Sequence, residues 1–239
     1  YLSDFLARKY AGKLHAHIRM MPSPLEPSRA RGIDLVLCTH RHSDHMDPET
    51  VAPVAELNPA CTFVVPRAVR WRALEIGLPE PLVHGMADGE TLEPLPGVTV
   101  EAIHSAHEQR VRNEKGEDEF LGFVVRAGGV TLYHSGDCVP HEGLVESLAS
   151  RGIDCALLPI NGRDEARRST GIPGNFTLEE AVRLCEQAGI PALLCHHYGM
   201  FDFNTVDPAA ARAGLAARRT GVQVLFAATG ACWTVGRSS

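Results

Sequence analysis

The stretch CTHRHSDHMD, residues 38–47, gathers three histidines and two aspartates into ten positions. Before it runs Ile33–Leu37, an apolar, strand-sized segment. After it the chain opens a helix, with Asp47 as N-cap, Pro48 at the first helical position and Glu49 in the first turn. The cluster is therefore predicted on a tight loop from a strand end to a helix N-terminus, where a rigid scaffold can hold chemistry. A helix N-terminus is electropositive and disfavours cationic histidine. Imidazoles and carboxylates crowded there fit best as neutral or anionic ligands around a cation. Residues two apart in an extended segment point the same way. In the pattern H-x-H-x-D-H, His40 and His42 can therefore reach one ion, while Asp44 and His45, past the turn, can reach a second.

The surrounding chain has 239 residues, 44% of them hydrophobic, which suits a soluble protein with a sizeable core. We expect one domain spanning residues 1–239. The net charge of −6 argues against a nucleic-acid partner. No apolar run reaches the length of a membrane span. The seven cysteines are scattered and form no C-x-x-C pair, so reduced thiols and a cytoplasmic location are expected. No signal peptide is expected.

Strand-like runs follow at Thr62–Val65, Val98–Ile103, Leu121–Arg126, Val130–His134, Asp154–Leu158, Ala192–Cys195, Val222–Phe226 and Cys232–Val235. Helix-like runs are Leu2–Tyr10, Pro48–Leu57, Ala68–Ile76, Glu142–Ser150, Leu178–Ala188 and Pro208–Ala217. TLEEAVRLCEQAG is the clearest helix: Thr177 and Glu180 form a capping box, and Gly189 stops it. VVRAGGVTLY is a hairpin turning at Gly128–Gly129. Strands flanked by helices imply a layered α/β domain.

Three more polar clusters close apolar strands: His104 and His107, His134 and Asp137, and His196 and His197. In layered α/β folds the strand ends carry the site, so clusters distant in sequence can converge. By a count of donors, His40, His42 and His107 can serve one ion and Asp44, His45 and His197 another, with the carboxylate of Asp137 bridging. Two ions roughly 3.5–4 Å apart would activate a water between them. Imidazole and carboxylate without thiolate suit Zn, Mn or Fe.

H-x-H-x-D-H at a strand end, then a His, then SGD, then a final His resembles the metallo-β-lactamase superfamily. LYHSGD, LLPINGRD, GNFT and HYGMF resemble its branch of L-ascorbate-6-phosphate lactonases, over residues from about 33 to about 208. The resemblance implies an αββα sandwich with a dinuclear site between its sheets, holding two divalent ions (Mn or Zn) per chain. It selects His107 over His104 and His197 over His196 as ligands, and leaves His134 and His196 to orient them. The family's opening strand hairpin lies ahead of a segment like YLSD, where this chain starts, so the first strands are expected to be missing.

The resemblance favours hydrolysis of a phosphorylated sugar-acid lactone. Asp44 would bind metal and steer the nucleophile's proton, and Tyr198 would donate to the developing oxyanion. The polar loop NGRDEARRSTGIPGN offers Asn161, Arg163 and Asn175 to the substrate. Arg163 is the candidate for a phosphate, because guanidinium binds phosphate bidentately. Two alternatives stay open: a phosphodiesterase on the same metals, and a non-catalytic metal-binding protein. The expected partner is a small-molecule substrate, with homo-oligomerisation open.

Overall fold

Side chains alternate across a strand, so a strand buried on both faces feeds two packing layers at once. Such strands set the architecture of the computed structural model, which describes residues 1–236. After a short helix α1 (Phe5–Lys9), strands β1 (Leu35–Leu37), β2 (Thr62–Pro66) and β3 (Val83–Met86) make a parallel sheet in that order. Helices α2 (Pro48–Leu57) and α3 (Arg70–Glu75) connect its strands.

The larger sheet takes β4 (Thr91–Leu95), β5 (Val98–His104), β6 (Leu121–Ala127), β7 (Val130–His134), β8 (Cys155–Pro159), β9 (Ala192–His196) and β10 (Gln223–Phe226), side by side in chain order. Pairing is antiparallel from β4 to β7 and parallel from β7 to β10. Helices α4 (Leu144–Ala149), α5 (Glu165–Ser169), α6 (Leu178–Ala188) and α7 (Pro208–Ala216) fill the connections.

Three apolar clusters follow from this alternation. Phe63 and Val65 of β2 turn outward onto Val51 and Val54 of α2 and Ala73 of α3. Val64, between them, turns inward onto Val100, Ala102, Leu121 and Phe123 of the facing sheet. Val124 of β6, Tyr133 of β7 and Leu158 of β8 turn away from that interface onto Leu144, Leu148 and Val182 of α4 and α6. The layers are thus helix, sheet, sheet, helix, the expected αββα sandwich. Each fully buried Val, Leu or Phe adds about 1.5–3 kcal/mol over its exposed state.

The caps hold α6 where the sequence places it. Thr177 and Glu180 make the reciprocal capping box, and Gly189 closes the helix at φ 69°. Four expectations change. The strand expected at Cys232–Val235 does not form; Trp233 there is exposed, so the segment has no core face to bury. β3 and β4 were not foreseen: β3 contains His84 and Gly85, and β4 contains Pro94, which is tolerated because β4 is a sheet edge. The first helix is confined to Phe5–Lys9. The helix after SGD starts at Leu144, not Glu142, with Gly143 as its N-cap. No helix among the described residues is long and apolar enough to cross a membrane.

Parallel pairing brings strand C-termini to one edge. His134 stands opposite Leu157, and Pro159 opposite His196. β5 runs the same way as β7, so Ser105–His107 leaves at that edge too. The smaller sheet joins there: the Leu121 N–H donates to the Thr39 carbonyl at 2.9 Å, tying the exit of β1 to the start of β6.

Candidate metal centre

Asp44, His45, Asp137 and His197 each offer one ligand atom, and these atoms lie within 4.8 Å of one another. Asp137 is central. Its Oδ1 lies 3.2 Å from His45 Nε2 and 3.1 Å from His197 Nε2, and its Oδ2 lies 3.6 Å from His107 Nε2. Asp44 Oδ2 is 3.6 Å from both His45 Nε2 and His197 Nε2. On the far side of His45, the rings of His40, His42 and His107 converge, with centroids 4.6, 5.5 and 5.9 Å apart. Phe120 packs on all three rings and closes that side to water. The seven side chains singled out by sequence therefore meet in one place.

The loops carrying them are braced from several directions. The Ser105 hydroxyl donates to the carbonyls of Ser135 and Asp137, at 3.1 and 3.2 Å. Asn175 Oδ1 accepts from the Cys138 N–H at 2.9 Å. The Gly174 carbonyl accepts from His107 Nδ1 at 3.1 Å, which leaves the Nε2 lone pair of His107 facing Asp137. Thr39 Oγ1 lies 3.1 Å from His40 Nδ1 and 3.4 Å from His45 Nδ1. Gly136, at φ 63°, lies so close to Thr39 that a Cβ there would sit 2.6 Å from Thr39 Cβ and Oγ1. Among the described residues, two non-glycines have positive φ, His197 at 61° and Glu108, next to His107, at 70°. Backbone strain of this kind persists where surrounding structure enforces it, and it concentrates at functional sites.

Electrostatics sort the histidines into two groups. Burial pushes His42 down to about 4 and holds His40 and His107 below the ordinary imidazole range, so all three are neutral and can donate lone pairs. Burial opposes charge on His45 and His197 as well, but Asp137 and Asp44 outweigh it and raise both. Burial likewise works against both carboxylates, yet the flanking imidazoles keep Asp44 and Asp137 ionised, well below the usual range. The two carboxylates thus demand positive charge between them. His40 Nε2, His45 Nε2 and Asp137 Oδ1 are buried with no hydrogen-bond partner. Buried polar atoms are almost always satisfied. Three such atoms converging from imidazole and carboxylate side chains are the donor types that divalent ions take, so the residues present fit metal.

The rings of His134 and His196 lie 4.7 Å apart at a tilt of 34°, and His134 Nδ1 accepts from the Gly136 N–H at 2.9 Å. His104 turns away, 3.1 Å from Asp88.

The centre opens into a cavity of about 730 Å³. Arg163, Asn161 and Asn175 do not line it. The Arg163 guanidinium is engaged by both oxygens of Glu180, at 2.7 and 2.6 Å, and donates to the Asn175 carbonyl. Asn161 and Asn175 are buried; they bond each other, and Asn161 also bonds Asn204. These three brace the loop below the site. Tyr198 borders the cavity, but its hydroxyl donates to the Ala227 carbonyl at 2.5 Å, not to the centre. The N-terminal segment, assigned no role from its sequence, supplies Lys9, Tyr10, Lys13, His15 and His17 to the cavity wall beside Phe201 and Phe203. The signals were the doublet His15-x-His17 and the aromatic pair in FDF.

Comparison with known proteins agrees with this geometry. Residues 10–198 match the β-lactamase superfamily domain. The chain belongs to this family. It is 28% identical over 187 residues to a UPF0173 metal-dependent hydrolase of Rubrobacter xylanophilus, covering 76% of this chain and 70% of the relative. It is 23% identical over 210 residues to the protein named "Probable L-ascorbate-6-phosphate lactonase UlaG" of Escherichia fergusonii, covering 82% of this chain but 57% of that relative. Among solved structures, an isothiocyanate hydrolase from Delia radicum gut bacteria superposes with a TM-score of 0.73 at 16% identity, covering 95% of this chain and 86% of that one. Zn(2+)-bound PqqB of Methylobacterium extorquens superposes at 0.57 and 20% identity, covering 81% and 71%. These likenesses share the fold. The chain is an enzyme of the metal-dependent hydrolase class.

Proposed function

We propose that this enzyme uses two divalent ions, Mn or Zn, to open a phosphorylated sugar-acid lactone of the L-ascorbate 6-phosphate kind. The observation that carries the dinuclear reading is Asp137, with one oxygen facing His45 and His197 and the other facing His107. In this reading His40, His42 and His107 would hold one ion and Asp44, His45 and His197 the other, with the Asp137 carboxylate available to both. Bound ions would supply Lewis acidity at the scissile carbonyl and activation of the attacking water.

The protein's own groups do the rest. Asp44 stays ionised, so it orients the attacking water as a hydrogen-bond acceptor and is a poor store for its proton. Phe120 and the buried His40 and His107 shield one side of the centre, which strengthens charge interactions there. The braced SGD loop fixes the carboxylate of Asp137, so little reorganisation accompanies the reaction. The lactone assignment draws on the lactonase relatives, and the cytoplasmic assignment on seven free cysteines.

The test is turnover of a panel of lactones and phosphodiesters by protein reconstituted with Mn or Zn. Opening of the phosphorylated lactone is expected. Turnover of phosphodiesters alone would replace the lactonase reading, and a metal content near zero after reconstitution would end the dinuclear one.

A further inference from the structure

We propose that Lys9 and Lys13 form an anion-binding subsite at the outer wall of the cavity, which grips a substrate phosphate remote from the scissile bond. The inference rests on the reading of this cavity as the substrate site. It replaces the arginine loop, whose cations are already engaged.

Both ammonium groups sit on the ring of Tyr10, Lys9 Nζ at 5.3 Å and Lys13 Nζ at 4.9 Å from its centroid. Neither pairs with a carboxylate among the described residues; Lys9 donates only to the Ser43 hydroxyl, at 3.0 Å. Each is held at the ring by cation–π attraction, which leaves its N–H donors available to an anion. The neighbouring arginines contrast with this. Arg8, Arg19 and Arg41 each face a carboxylate, as do Arg163, Arg167 and Arg168. The chain has only three lysines among 23 Lys and Arg residues, and two of them are here. Among the described residues, the only acidic ones lining the cavity are Asp44 and Asp137, both at the candidate metal centre. An anion at the outer wall therefore meets cations and no competing carboxylate.

The wall is held in place. Ser3 donates to Asp47 at 2.7 Å, and the Leu2 N–H donates to Thr50 Oγ1 at 2.9 Å, which pins the start of the segment to α2. The Met20 N–H donates to the Met200 carbonyl at 2.8 Å, and Arg19 bridges to Phe201, which pins its end. Between these anchors His17 stacks on Tyr10 at 4.3 Å and meets the edges of Phe201 and Phe203 at 4.7 and 4.8 Å. A sugar-acid body can lie along this aromatic face while its phosphate reaches the lysines. Ser43, the tether of Lys9, adjoins Asp44, so the subsite and the reacting centre share one loop.

The experiment compares Lys9→Ala, Lys13→Ala, the double variant and Lys9→Arg/Lys13→Arg with wild type. Kinetics are measured on a phosphorylated lactone and its dephosphorylated analogue, in metal-loaded protein. A lost charge-assisted contact is worth about tenfold. Each Ala variant should therefore raise KM for the phosphorylated lactone about tenfold, and the double variant about a hundredfold, while kcat changes far less. The preference over the dephosphorylated analogue should fall by the same factors, and the Arg pair should restore most of it. An unchanged preference in the double variant overturns the subsite. Should neither lactone turn over, the lactonase reading fails, and calorimetry with glucose 6-phosphate and glucose decides the lysines separately. Glucose 6-phosphate binding that weakens at least tenfold in the double variant supports the subsite; equal binding refutes it.

Discussion

Replacing Gly136 with Ala tests whether the close approach of SGD to Thr39 holds the centre together. Gly136 sits at φ 63°, and an added Cβ would lie 2.6 Å from Thr39 Cβ and Oγ1 and 2.9 Å from Cγ2. A left-handed Ala costs about 1–2 kcal/mol. Thr39 must also retreat by the better part of an ångström, and overpacking of that kind costs about 1–3 kcal/mol. The variant should lose about 2–5 kcal/mol, a large share of the ~5–15 kcal/mol that stabilises a typical domain. Gly128 isolates the backbone part, because it has φ 57° and nothing within 4 Å of an added Cβ. Gly128→Ala should lose only about 1–2 kcal/mol. Urea unfolding of metal-free protein, with chelator present, measures both without ligand linkage. Displacing Thr39 also disturbs the Nδ1 contacts of His40 and His45, so zinc affinity should fall about tenfold. Equal losses from the two substitutions would refute the packing argument, as would a Gly136→Ala variant within about 0.5 kcal/mol of wild type.

Asp137→Asn keeps the shape of the side chain and removes the charge that the histidines face, so metal content by elemental analysis should collapse while far-UV circular dichroism stays native; full metal content with near-normal turnover would defeat the bridging assignment. Arg163→Ala should behave as a stability variant, losing about 1–2 kcal/mol in urea with little change in KM, since its guanidinium serves Glu180; a KM rise of tenfold or more for the phosphorylated lactone would return it to the substrate. Asp118 is buried, which opposes its ionisation, but Arg110 and then Arg112 outweigh burial and lower its carboxyl. A depressed acid contributes stability above its unfolded value, about 3.9, and loses that contribution as pH falls through the folded value. Asp118→Asn should therefore be less stable at neutral pH and should flatten the acid limb of stability below about pH 4; an unchanged limb would show that the pair is idle.

Local pattern was enough for much of this molecule. The strand–loop–helix around His40–His45 and the capping box of α6 depend on neighbours in the chain, so propensity and spacing expose them. The alternation of Phe63, Val64 and Val65 carries the layering for the same reason. Long-range packing decided the rest. His107 and not His104 lies beside Asp137 because β5 has ended and Gly174 turns the ring. His197 reaches Asp137 through a positive φ that no local preference favours. Arg163 looks free in sequence, yet Glu180, in the first turn of α6, takes it. Lys9 finds Ser43 across 34 residues, and His15 finds Thr170 across 155. Such contacts form only when the chain closes on itself, and charge type alone does not show which partner each side chain will meet. The sequence determined the candidate metal donors; the tertiary structure decided which of the remaining polar groups are spent on the scaffold and which stay unpaired with a carboxylate at the cavity wall.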